Sequence, residues 1–99
     1  MPRRRSRSQQ TKHDRKVASL ARGYKNRGFK VKADLPGYSK PNPIGKNRRI
    51  PDIEATKPGT RHIVEVETKS TINTDKTQRR SFKQSATKRR RTRYREVVI

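Results

Sequence analysis

Three consecutive stretches decide the reading of this 99-residue chain: Ile50-Pro51-Asp52-Ile53-Glu54-Ala55, then Lys57-Pro58-Gly59-Thr60, then Arg61-His62-Ile63-Val64-Glu65-Val66-Glu67-Thr68-Lys69. The outer two alternate apolar and polar residues, so they predict strands over 50–55 and 61–68. Pro58 and Gly59 between them predict a turn, and the two strands a hairpin. Side chains alternate across a strand. Asp52 and Glu54 therefore share one face of the first strand, and Ile53 and Ala55 the other. On the second strand Val64 and Val66 share a face, and Glu65, Glu67 and Lys69 lie opposite. Pairing the strands with their apolar side chains on a common core gathers the carboxylates on the other face.

Outward from the hairpin, Val17, Leu20, Ala21 and Tyr24 fall at i, i+3, i+4 and i+7, the stripe of an amphipathic helix. Thr11 or Asp14 is placed to cap its start, and Gly28 suits its end. Phe29, Val31 and Ala33 alternate with Lys30, Lys32 and Asp34, which predicts a strand. Residues 35–47 hold Pro36, Gly37, Pro41, Pro43 and Gly45 and read as a loop. Residues 75–91 read as a second helix with Thr74 as N-cap, and Val97-Val98-Ile99 as the end of a buried strand over 94–99. Residues 1–13 carry Arg3, Arg4, Arg5, Arg7 and Lys12 without an acid or an apolar period, and are expected to form a flexible basic arm. The remainder, 14–99, is expected to be one α/β domain with helices on a mixed sheet, in the order α-β-β-β-α-β.

Composition sets the partner class. Lys and Arg number 29 and Asp and Glu 8, a formal charge of +21. Hydrophobic residues make up 25% of the chain, against roughly 45–50% in ordinary domains. A large self-sufficient core is excluded, and a homodimer that buries further apolar surface is expected. No apolar run is long enough for a membrane helix, and the basic start lacks the apolar stretch of a secretory signal. An intracellular protein, cytoplasmic or nucleoid-associated, is the expectation. The absence of Cys removes disulfides and thiolate metal sites. Such an excess of cations is best neutralised by a polyanion, and nucleic acid is the expected partner: DNA, with RNA left open. Arg3, Arg4, Arg5, Arg79, Arg80, Lys83, Arg89 and Arg90 are the candidate phosphate contacts.

The acids carry more information than the total charge. Asp52, Glu54, Glu65 and Glu67 fall between positions 52 and 67, where the only Lys or Arg residues are Lys57 and Arg61. A carboxylate island in a basic chain suits the holding of a divalent cation, Mg²⁺ or Mn²⁺, against a phosphate. Asp52 and Glu65 are expected to approach one hard cation. Glu67 or Lys69 is then placed to orient or deprotonate a water, and Gln78, one turn into the second helix, to position a phosphate or water. Glu54 reads as a solvated or salt-bridged residue. His13 and His62 are isolated, and His62, on the face of Val64, reads as a packed or edge histidine rather than a ligand. Tyr24 reads as core, and Tyr38, in the Pro-rich loop, as free to contact a ligand.

Pro51-Asp52 followed after a turn by Glu65-Val66-Glu67-Thr68-Lys69 resembles the PD-(D/E)xK nuclease superfamily, which includes type II restriction enzymes and archaeal Holliday-junction resolvases. The resemblance implies a restriction-endonuclease-like core and a metal-dependent DNA endonuclease, one acting on branched DNA if the resolvase likeness holds. Asp52, Glu65 and Glu67 are then metal ligands, with catalytic roles extending to Lys69 and Gln78. Two registers fit the motif. Either Glu67-Thr68-Lys69 is the (D/E)xK element, or Glu65-Val66-Glu67 is an ExE variant; the second is favoured because Val64 and Val66 place Glu65 at the strand centre. The competing reading is a non-catalytic basic nucleic-acid-binding protein of ribosomal or chromatin type.

Overall fold

The computed structural model describes residues 7–44, 50–68 and 91–99. They form a small α/β domain in the order α1 (Arg7–Asn26), β1 (Lys30–Ala33), β2 (Ile53–Lys57), β3 (Thr60–Glu67) and β4 (Thr92–Val98). The four strands make one mixed sheet in sequence order. β1–β2 and β2–β3 are antiparallel, and β3–β4 is parallel. A parallel pair needs a long crossover, and residues 68–91 supply one. The second helix expected at 75–91 falls there, largely outside the described residues.

The register sorts the side chains as the hairpin pattern requires. Ile53 pairs with Val64 and Ala55 with His62, so the apolar positions share one face. α1 packs on that face, burying Val17, Ala21 and Tyr24 against Ile53, Ala55, Val64 and Val66, with Phe29 and Ala33. The opposite face buries Ile63 with Ile44, and Tyr94 packs against them. Ile44 is an isolated apolar residue in the Pro-rich loop, and no periodicity marks it as core. Tyr38, expected to be free, packs half-buried against the first cluster. β4 starts earlier than expected, alternates half-buried and exposed residues over 92–96, and leaves Val98 54% exposed.

The start of α1 corrects the expected arm. The helix begins at Arg7, so residues 7–13 belong to it and only 1–6 fall outside the described residues. Arg, Gln and Lys are good helix formers, and the buried His13 anchors this turn. Thr11 is therefore inside the helix, its hydroxyl donating to the Arg7 carbonyl at 3.0 Å, and neither it nor Asp14 is a cap.

The other end is a Schellman motif. The Phe29 amide donates to the Tyr24 carbonyl at 3.1 Å and the Gly28 amide to Lys25 at 3.1 Å. Gly28 sits at φ +88°, and the Phe29 and Tyr24 rings meet edge-on with centroids 5.1 Å apart. A Cβ on Gly28 would meet no atom within 4 Å, so Gly28→Ala isolates the backbone strain of a left-handed residue, about 1–2 kcal/mol. A thermal melt of this variant should fall by about 4–16 °C, at about 4–8 °C per kcal/mol for a chain of this size.

Candidate metal and phosphate site

Asp52 lies just before β2, between α1 and the opposite sheet face. Pro51, fully buried before it, restricts the backbone entering the strand. The Asp34 amide donates to the Asp52 carbonyl at 3.0 Å, tying this entry to the end of β1. The side chain is fixed from two sides. Its Oδ2 accepts the Val66 amide of β3 at 2.8 Å and lies 3.2 Å from His13 Nε2 of α1. The other ring nitrogen of His13, Nδ1, is 3.0 Å from Asp14 Oδ1. A neutral imidazole donates to one of these carboxylates, and a protonated one to both.

Glu65 comes from the centre of β3. Its Oε1 accepts the Asp52 amide at 3.2 Å, so the two acids that the sequence pairs are brought together. Glu65 is 3% exposed. Burial raises its pKa well above the usual carboxylate range. The Asp52 charge, a hydrogen bond to the Asp52 side chain and the Glu67 charge push the same way, against the Asp52 amide bond. Glu67 lies two residues on, on the same face, and is buried.

Two buried acids, Glu65 and Glu67, thus crowd the partly buried Asp52, an arrangement in which ionising Glu65 is costly. Among the described residues no three His, Asp or Glu side chains converge on one metal position. Mg²⁺ is commonly held by one or two carboxylates and keeps several waters, so Asp52 and Glu65 are the residues that could hold one.

Glu54 is not part of this pair. It is buried, accepts Arg61 Nε at 2.8 Å and forms an ion pair with the same guanidinium, and faces the Asn42 amide and Nδ2 at 3.4 Å. Of the two readings the sequence left, solvated or salt-bridged, Glu54 takes the second, and it is buried. His62 packs edge-on to Tyr24 and Phe29, its Nδ1 3.2 Å from the Tyr24 hydroxyl, in the packing role expected. Tyr24 is core, as expected. Lys69, Gln78, Arg79, Arg80, Lys83, Arg89, Arg90 and the Arg3-Arg4-Arg5 run lie outside the described residues.

His13 is the site residue that sequence reasoning missed. Its signal was the helical stripe continued one turn back: His13, Val17, Ala21 and Tyr24 are spaced by four, four and three and are the buried residues of α1. No helix of the described residues is long and apolar enough to cross a membrane. No protein-family model, curated protein or solved structure matches the chain.

The raised Glu65 pKa has a stability consequence with a definite sign. Between the ordinary carboxylate pKa and the raised one, the unfolded chain loses the proton and the folded chain keeps it. The unfolded state then binds fewer protons, so stability falls as pH rises through that window and stays reduced above it. Glu65→Gln keeps an oxygen for the Asp52 amide and removes this loss. Its melting temperature should match wild type at low pH and exceed it increasingly toward neutral pH, each kcal/mol reading as about 4–8 °C. Parallel melting curves across the pH range would defeat this assignment.

Proposed function

We propose that the chain is a small metal-dependent DNA endonuclease with a restriction-endonuclease-like core, acting on duplex or branched DNA. The observation that carries the reading is the contact of Asp52 with Glu65 at the hairpin, inside a protein of charge +21. The element order and the parallel β3–β4 pair support the same core.

In this reading Asp52 and Glu65 would hold Mg²⁺ or Mn²⁺. The ion would supply a Lewis acid for the phosphoryl oxygen and lower the pKa of a bound water. The protein's own part is placement. The Val66 amide and His13 hold Asp52 in one orientation, and the Asp52 amide holds Glu65. Glu67, on the same face, takes the role of orienting or deprotonating the water. Lys69, the alternative to Glu67 for the water, and Gln78, for a phosphate or water, keep the roles expected from the sequence, and the basic runs of the chain hold the nucleic-acid backbone. A homodimer that buries further apolar surface and offers two sites to two strands belongs to the same reading.

The test is incubation of the full chain with plasmid and branched DNA in Mg²⁺, Mn²⁺ or EDTA. Cleavage with either metal and none in EDTA is expected. Inertness on every substrate with both metals would overturn the proposal and leave a non-catalytic, basic nucleic-acid-binding protein.

A further inference from the structure

The α1 face of the sheet carries a second charged surface, away from the acidic pair. α1 packs across β1, β2 and β3 but not β4. The outer part of that face is formed by Arg93, paired with His62 in register, and Arg95, paired with Val64. Lys57 lies on the same face at the end of β2. Arg27, just past α1, stacks its guanidinium 4.5 Å from the Tyr24 ring centroid, and Lys57 places its ammonium 4.5 Å from that of Phe29. Stacking of this kind keeps a cation in place without neutralising it. All four cations are exposed. Among the described residues no carboxylate pairs with any of them.

His62 sits in the middle. The Tyr24 hydroxyl and Arg27 face it from α1 and its end, the Phe29 ring from the start of β1, Lys57 from β2, and Arg93 and Arg95 from β4. Burial first, then these four positive charges, lower its pKa. Glu96, the acid of β4, lies on the other sheet face by strand alternation.

We infer that Arg27, Lys57, Arg93 and Arg95, grouped around His62, form a grip for a nucleic-acid phosphodiester backbone. Four cations concentrated on one face, with no carboxylate partner among the described residues and an aromatic floor, complement a row of phosphates and no neutral ligand. His62 is three residues from Glu65, about 10 Å along β3 and on the opposite face, so this surface is distinct from the acidic pair. The inference rests on the nucleic-acid reading of the charge but not on hydrolysis. Its test is therefore run in EDTA, where a lack of cleavage has no bearing.

The full chain is titrated into short labelled DNA and RNA duplexes of one sequence, by fluorescence anisotropy over a range of salt concentrations. R93Q/R95Q and R27Q/K57Q each remove two charges from the grip. K30Q/K32Q removes the same charge, but Lys32 pairs with Glu54 on the other face and Lys30 with Thr56. On DNA, each grip pair should reduce the slope of log K against log salt by about 1.8, two contacts at about 0.9 each, and K30Q/K32Q by less than half as much. Equal losses from all three pairs would mean that net charge alone binds, and would overturn the inference. A loss specific to the grip on either duplex supports it, and the duplex that shows it names the nucleic acid. A second readout needs no variant. The His62 imidazole, titrated by NMR in the wild-type chain, should show a raised pKa when duplex is bound, because an adjacent phosphate favours the imidazolium. An unchanged His62 titration would also overturn it.

Discussion

On the proposed nuclease reading, Asp52→Asn is expected to lower metal-dependent cleavage by more than about 100-fold, while duplex DNA affinity is unchanged or tighter. The floor is set by partners that only support a metal ligand, whose loss typically costs about 10–100-fold; a direct ligand must cost more. Asn is the informative replacement because its Oδ1 can still accept the Val66 amide that Asp52 holds at 2.8 Å. Alanine would leave that amide unsatisfied, an added cost of about 1–3 kcal/mol if it stays buried. Affinity is preserved because Asp52 contributes negative charge, and removing it leaves every phosphate-binding cation in place. The measurement is single-turnover cleavage beside anisotropy titration of the same preparation. Cleavage by the variant within tenfold of wild type would remove Asp52 from the chemistry.

Arg61→Ala lowers stability by about 3 kcal/mol, the lower end of what breaking a buried ion pair costs. Glu54 is 4% exposed and would lose its guanidinium. The Asn42 donors remain, and the Arg61 side chain is itself 19% exposed, which moderates the loss. A domain of this kind is stable by only about 5–15 kcal/mol, so this is a large fraction. The melting temperature should fall by about 12 °C or more. Glu54→Leu combined with Arg61→Met should recover most of the loss, since apolar replacement of a buried pair is commonly neutral or stabilising. A fall in Arg61→Ala as small as an exposed pair gives, under about 1 kcal/mol, would show that Glu54 is solvated in solution.

The hairpin was the most legible part of the chain because two independent patterns agree there. Alternation set the faces, and Pro58-Gly59 set the turn, where Gly59 has φ +84°. The same alternation placed Glu65 and Glu67 together on the face opposite Val64 and Val66. What it did not reveal was burial. A strand pattern with carboxylates on one face reads as solvated, yet Glu54, Glu65 and Glu67 are all buried. On the same face Ile44, Ile63 and Tyr94, residues from three separate segments, pack together, a cluster that no local pattern announces. His13 was hidden for a related reason. A polar residue among arginines has no local motive to be buried, and its partner Asp52 is 39 residues away. The helix start moved with it, since Arg7 to Lys12 have helical propensity but no apolar stripe to announce a helix.

Whether Asp52 and Glu65 together hold a divalent cation, as proposed, is decided by calorimetric titration of Mn²⁺ into the metal-free full chain. Saturable binding is expected, weakened at least about tenfold by Asp52→Asn and by Glu65→Gln, by analogy with the cost of losing a ligand's supporting partner. Absence of saturable binding, or affinity that neither substitution changes, would mean that the two carboxylates hold no cation.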